Sequence, residues 1–243
     1  MDIIKVDAID STNTFLRDMN REKYLTKSIC VVAREQLKGK GQMGTIWQSN
    51  PGENLTSSVF MPIADLDVMD QFYISMTVSL GVYDALDLLM LPKLSIKWPN
   101  DILSDKYKMC GILIENVVNN GRLRGAIIGI GINVNQQDFN NLPLAGSLKQ
   151  ILGRNFDLDE VLQVVLAKLE YRFSMLHSSN FGNIKKEYES LLFRKNKPST
   201  FLDVKGDSFV GIIQNITSAG KLQILLEDEI IQSFDLKEVK LLY

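Results

Sequence analysis

The chain has 243 residues, 45% hydrophobic and 23% charged, with a formal net charge of −2. That balance suits a folded globular protein and lacks both the polarity of a disordered chain and the basic excess of a nucleic-acid binder. Two cysteines and one histidine are too few for a zinc site or a histidine-dependent nucleophilic triad. Cys30 and Cys110 sit inside the apolar runs SICVVA and KMCGILIE and read as reduced core residues. No basic-plus-apolar leader opens MDIIKVDAIDS, and no apolar run is long enough to cross a bilayer. The expectation is a cytoplasmic protein that engages neither membrane nor DNA.

Along the chain, IIKVDAI reads as a short strand, and DSTNTFLRDM starts a helix with Asp10, Ser11 or Thr12 as cap. SICVVAREQ is a buried strand. It runs into GKGQMGTIW at 39–47, where Gly39, Gly41 and Gly44 fall within six residues. Such a cluster implies unusual backbone angles or a ligand close to the main chain. NLTSSVFMPI alternates polar and apolar residues as a strand does, whereas 70–90 is apolar on nearly every side and predicts a core helix. LSIKW is a strand stopped by Pro99, and the KWPND turn presents Lys97, Asn100 and Asp101. MCGILIENVV and RLRGAIIGIGINV flank NNG, a strong hairpin signal. Helices follow at about 157–176 and 181–194.

From Lys197 the texture changes to TFLDV, SFVGIIQNI, KLQILLE and EIIQSF, separated by KGD, TSAG and ED turns. Short strands at that spacing predict a small barrel of about five strands. The earlier strands come mostly as hairpins and not as βαβ units. The expected fold is therefore α+β: a mixed, largely antiparallel sheet with packed helices over 1–196, followed by a small β-barrel domain over 197–243.

Two phosphate-binding motifs fail on inspection. Gly39 and Gly44 have the Walker spacing, but Thr45 and Ile46 stand where Lys and Ser or Thr belong. GIGINV offers Gly129 and Gly131, but Val134 replaces the third glycine of a dinucleotide fingerprint. Taken singly, DSTN is a helix cap, KWPND a turn with a solvated lysine, and Lys108 a lysine at the rim of a core strand.

Their order carries more than any one of them. DSTN, a strand ending in Glu35 and Gln36, GKGQMGTIW, KWPNDI, KMCGILIE and GIGINV follow one another as they do in the catalytic domain of biotin protein ligases. The resemblance runs from about Asp10 to Val134, with a weaker match through LAGSL at 144–148 and into the C-terminal strands. It implies a class II synthetase-like catalytic domain and an SH3-like C-terminal barrel. The implied reaction is attack of the biotin carboxylate on the α-phosphate of ATP, giving biotinyl-5′-AMP and pyrophosphate. A lysine of a biotin carboxyl carrier domain, of acetyl-CoA carboxylase or a related carboxylase, then displaces AMP.

By the same resemblance, Ser11, Thr12, Asn13, Gln36, Lys40, Gly41, Gln42, Lys108 and Gly111 fall at biotin-binding positions. Ser11, Thr12, Asn13 and Gln36 carry the hydroxyl and amide groups a ureido ring needs. Gly39, Gly44, Trp47, Lys97, Asn100 and Asn133 are candidate nucleotide contacts. Lys108 is the first candidate, and Lys40 the second, for bridging the carboxylate and the α-phosphate; Asp101 is a candidate base for the incoming lysine. Mg²⁺ is implied, without assigned ligands. Gln42 and Met43 replace arginines found in some relatives, which bears on how tightly the adenylate is held. With DSTN at residue 10, the ligase-only form without a DNA-binding segment is expected. The alternatives are a lipoate ligase of the same architecture, which would not need the ureido-binding set, and a non-catalytic module that binds biotin or nucleic acid. Few aromatics and no basic run in 197–243 speak against the nucleic-acid reading.

Overall fold

The structure, a computed structural model, describes residues 1–140, 142–177 and 180–243, and leaves the side chains of Met43 and Asp65 outside the description. β1 (Asp2–Ile9) and β2 (Ile29–Gln36) pair in parallel and are joined by α1 (Thr12–Lys23). Of the three candidate caps, Ser11 takes the role: its backbone is extended, and its hydroxyl accepts from Thr14 N at 3.5 Å. Arg21 and Lys23 fall in the last turn, where positive charge offsets the helix dipole.

β3 (Leu55–Asp67) leads to α2 (Phe72–Leu88), the core helix, and β4 (Leu94–Lys97) and β5 (Asp101–Ser104) form the KWPND hairpin with Lys97 opposite Asp101. β6 (Tyr107–Asn119) and β7 (Arg122–Ile132) form the NNG hairpin. The strands make a seven-stranded sheet in the order β1-β2-β3-β7-β6-β5-β4, antiparallel throughout except at β1/β2. α3 (Leu148–Leu152), α4 (Leu158–His177) and α5 (Phe181–Ser190) follow.

Strand parity divides the sheet. Val59 and Met61 of β3, Ile128, Ile130 and Ile132 of β7, and Cys110 and Ile112 of β6 face α2 and α4 in the main core. The alternate residues Phe60 and Ile127 meet Leu16 of α1 on the opposite face. α2 is buried because α4 and α5 cover the side that the sheet does not. It approaches α4 closely at Gly81, where a Cβ would come to 3.0 Å of Leu169 Cδ2.

α5 stops at Ser190, short of the expected 194. Residues 191–193 leave the helix to pair with the edge strand β4, through Ile96 N to Leu191 O at 2.8 Å and Phe193 N to Ile96 O at 2.8 Å. Pairing of an open edge here overrides local helix preference.

The C-terminal strands β8 (Pro198–Asp203), β9 (Ser208–Ile216), β10 (Leu222–Leu226), β11 (Ile231–Phe234) and β12 (Val239–Leu242) do not form the expected barrel. They make an open sheet in the order β11-β10-β9-β8-β12, and among the described residues no ladder joins β11 to β12. The physical reason lies in the core. Phe201, Ile213, Ile216, Leu222, Ile224 and Phe234 belong to the same apolar cluster as α2 and the large sheet, so this face is covered without closing on itself. Trp98 Nε1 donates to Gly220 O at 2.9 Å and fastens the β4–β5 turn to the small sheet.

One ion cluster, centred on a buried arginine, ties the helical layer together. The guanidinium of Arg172 on α4 donates to both carboxylate oxygens of Asp84 on α2 (2.6 and 2.8 Å) and of Glu187 on α5 (2.6 and 2.7 Å). Its side chain is only 8% exposed. Only the arginine is buried, and water can reach the carboxylates left behind, so Arg172→Ala should lower the unfolding free energy by about 2 kcal/mol, measured by denaturant titration. Arg172→Lys should recover only part, since an ammonium cannot form both forks.

Candidate active site

The second face of the large sheet is not filled by α1. Beyond the first turn of that helix the strands carry glycine: Gly111 on β6 lies opposite Gly131 on β7, and Gly129 on β7 lies opposite Ser58 on β3. The space so left opens into a cavity of about 670 Å³ that continues between the large sheet and the small one. Ser11, Thr12, Asn13, Gln36, Lys40, Gly41, Gln42, Trp47, Lys97, Asp101, Lys108 and Gly111 all line it, so residues scattered over a hundred positions of sequence share one space.

One end is built from hydroxyl and amide groups bonded to one another. Thr12 N donates to Gln36 Oε1 at 2.9 Å, and Thr12 Oγ1 stands 3.0 Å from the same oxygen. Ser58 Oγ stands 2.7 Å from Thr12 Oγ1 and 2.5 Å from Asn13 Oδ1. Asn13 Nδ2 donates to Glu115 Oε2 at 2.8 Å. The amide of Asn13 lies directly on Gly129, where any Cβ would collide with Asn13 Oδ1.

The floor comes next. Trp47, at the exit of the glycine loop, lays its indole across Gly131 and Gly111; a Cβ at Gly111 would come to 2.9 Å of the ring. The loop itself turns through Gly41 N to Thr45 O (2.7 Å) and Trp47 N to Gly39 O (3.1 Å). Trp47 Nε1 is buried against Gly131 without a hydrogen-bond partner.

The other end is charged. Lys108 Nζ pairs with Asp101 Oδ1 at 2.7 Å and lies 5.9 Å from the centre of the Trp47 ring. Lys97 Nζ stands over the ring of Tyr243 at 4.8 Å. Burial pushes the Lys97 ammonium below its usual pKa; Asp101 opposes this, and Lys108 and Lys240 add to it. Lys40, from the loop, is not at this end: it donates to Thr14 Oγ1 on α1 at 2.9 Å, beside the hydroxyl–amide set.

Four predicted residues stand elsewhere. Asn100 and Asn133 are buried and spend their amides on main-chain carbonyls: Asn100 Nδ2 on Ile112 O at 2.8 Å, Asn133 Nδ2 on Lys108 O at 3.2 Å. Both brace the strand that carries Lys108. Gly39 and Gly44 shape the loop without lining the cavity.

The comparisons with known proteins follow the same residues. Positions 6–133 match the family model described as "Biotin/lipoate A/B protein ligase family". The chain belongs to that biotin/lipoate ligase family. It is 32% identical over 192 residues to the bifunctional ligase/repressor BirA of Bacillus spizizenii, an alignment covering 77% of this chain and 58% of that relative's length. It is 28% identical over 225 residues to the biotin–[acetyl-CoA-carboxylase] ligase of Paracoccus denitrificans, covering 88% of this chain and 90% of the relative. Among solved structures, the biotin protein ligase of Aquifex aeolicus in complex with biotin and ATP superposes with a TM-score of 0.80 at 26% identity, covering 99% of this chain and 98% of that one. No helix among the described residues is long and apolar enough to cross a membrane.

For this family member, sequence reading missed Ser58, Glu115 and the C-terminal wall of Phe193, Lys240 and Leu241. The parity of NLTSSVFMPI puts Ser58 on the face of Phe60, a usable signal that points away from the core. Nothing local marks Lys240.

Lys97 holds a charge where burial disfavours it, which predicts a cost in stability. Lys97→Met should raise the unfolding free energy at neutral pH by about 1 kcal/mol, as removals of strained functional groups commonly do. The folded-state pKa of Lys97 is lowered, so between that value and the ordinary value of about 10.4 the unfolded chain binds more protons, and wild-type stability rises with pH. The advantage of the Met variant should therefore shrink as pH approaches about 10.4 in parallel melts.

Proposed function

We propose that this chain is an ATP-dependent, AMP-forming biotin–protein ligase. The observation that supports it is a single cavity with a hydroxyl–amide end, a glycine floor under an indole, and a lysine–aspartate end. A neutral ureido ring with an apolar tail fits the first two, and a carboxylate meeting a triphosphate fits the third. On this reading residues 1–196 carry the chemistry, and 197–243 wall the nucleotide side. The acceptor is a biotin carboxyl carrier domain, and the setting is cytoplasmic.

In the first step a biotin carboxylate oxygen bonds to the α-phosphorus of ATP while the bond to pyrophosphate breaks. Both reactants are anions. Lys108, held by Asp101, supplies a fixed ammonium between them, and Lys97 extends the positive field toward the phosphates. The 39–47 loop keeps water from the mixed anhydride. In the second step the carrier's lysine nitrogen bonds to the acyl carbon, AMP departs with the anhydride oxygen, and Asp101 accepts the proton.

Asp101 is the single carboxylate lining the cavity, and no cluster of three metal-binding side chains occurs among the described residues. That set offers no protein cage and fits Mg²⁺ that would be carried on the nucleotide phosphates, leaving Asp101 to Lys108. When bound, the ion would neutralise phosphate charge.

The test is incubation with ATP, Mg²⁺ and radiolabelled biotin, followed by chromatography for labelled adenylate and transfer to a carrier domain. Absence of both products would defeat the reading, and preferential use of lipoate would reassign the substrate. Lys108→Ala should slow single-turnover adenylation by about a hundredfold or more. Because Lys108 is a rim residue, its loss should shift stability by less than about 0.5 kcal/mol. Wild-type adenylation by Lys108→Ala would remove the lysine from its assigned role.

A further inference from the structure

We propose that Glu115 is a positioning residue that sets the hydrogen-bond polarity of the hydroxyl–amide end of the cavity, and so determines preference for a cyclic urea. The inference rests on the biotin-ligase reading above.

Glu115 lies on β6 outside the cavity lining, yet it ends the polar chain that does line it. Its two oxygens have separate partners: Oε2 accepts from Asn13 Nδ2 at 2.8 Å, and Oε1 accepts from Arg17 at 3.1 Å. Asn13 and Arg17 are four residues apart on α1 and share one face of it. An ionised carboxylate only accepts. It therefore holds the Asn13 amide with nitrogen toward Glu115 and oxygen toward Ser58.

The rest follows from counting protons. Asn13 Oδ1 cannot donate, so the 2.5 Å contact with Ser58 Oγ takes the single hydroxyl proton of Ser58. The 2.7 Å contact between Ser58 and Thr12 then takes the proton of Thr12, the shorter of that hydroxyl's two contacts, and leaves its 3.0 Å approach to Gln36 Oε1 without one. Donation runs in one direction, from Thr12 to Ser58 to Asn13 to Glu115, and each link strengthens the next. Gln36 Oε1 keeps its 2.9 Å bond from Thr12 N. The lone pairs of Thr12 and Asn13 are left as acceptors for a ligand N–H, and the amide nitrogen of Gln36 as a donor for a ligand carbonyl. A cyclic urea offers that complement. A dithiolane ring, with neither N–H nor carbonyl, would leave these groups unpaired, the kind of mismatch that separates ligands most strongly.

Gly129 underlies Asn13 with no room for a Cβ, and a second acceptor near the amide nitrogen, Leu113 O, is 3.5 Å away, farther than Glu115 at 2.8 Å.

The test is calorimetric titration of the full chain with biotin, desthiobiotin (which keeps the urea ring) and ATP, each alone. Glu115→Met should weaken both urea ligands by about tenfold and leave ATP affinity unchanged. Glu115→Gln, which keeps an uncharged acceptor, should recover part of the loss. Ser58→Ala should weaken urea binding similarly, and the double variant Glu115→Met/Ser58→Ala should be no weaker than the poorer single, because one chain is broken once. In turnover, Glu115→Met should raise the biotin KM and leave kcat at saturating biotin intact. Unchanged urea affinity in Glu115→Met, additive losses in the double variant, or an equal loss of ATP binding would overturn the positioning role while leaving the ligase reading in place. A wild-type chain that binds ATP but no biotin would overturn both.

Discussion

The structure depends on one constraint: two neighbouring strands, β6 and β7, must lack side chains on one face, and the strand beside them must carry only a small one. Gly111, Gly129 and Gly131 meet it, with Ser58 as the small residue alongside. Parity makes the constraint affordable. The residues between them, Ile112, Ile130 and Ile132, point the other way into the main core, so the strands lose no packing where stability is made. A single β-branched residue in any of the three positions would close the cavity without touching the core. The two properties are separable because a strand has two faces.

Charge is handled by distance from that core. The Lys108–Asp101 pair and Lys97 sit where the turn between β4 and β5 meets the small sheet, and the hydroxyl–amide chain sits near α1, its terminal carboxylate Glu115 paired with Arg17. Desolvating a hydroxyl or an amide is tolerable once it is hydrogen-bonded, and each member of that chain has a partner within the protein. Desolvating an ammonium is far harder, and Lys97, the more buried lysine, shows the strain in its lowered pKa. The buried cation that does serve stability, Arg172, is kept in the helical layer with two carboxylates of its own.

What the sequence disclosed follows from how local each signal is. The two hairpins, the buried α2 and the Ser11 cap are written in adjacent residues: NNG, an apolar run, a hydroxyl before a helix. The cavity residues were legible only through the order of motifs, because DSTN, KWPND and Lys108 each have an ordinary structural explanation when read alone. The barrel failed for the opposite reason. Short strands and tight turns specify neighbours, whereas closure depends on whether β11 and β12 meet, and that was decided by packing of Phe201, Ile213 and Phe234 onto a distant core. The early end of α5 is the same kind of event, with β4 capturing residues 191–193 across a long separation in sequence.

An open small sheet also gives the cavity its second wall. Had the C-terminal strands closed into a barrel, their apolar interior would be turned inward upon itself, and they would meet the large sheet only through a polar exterior. Open, they present Ile213, Leu222 and Leu241 along the cavity, with Lys240 beside Lys97. Tyr243 then covers the Lys97 ammonium, and the Trp98 indole nitrogen reaches Gly220 across the junction. The feature that local sequence reading got wrong is thus the one that lets the last fifty residues take part in the site, and it explains why a turn as short as KWPND is held from both sides.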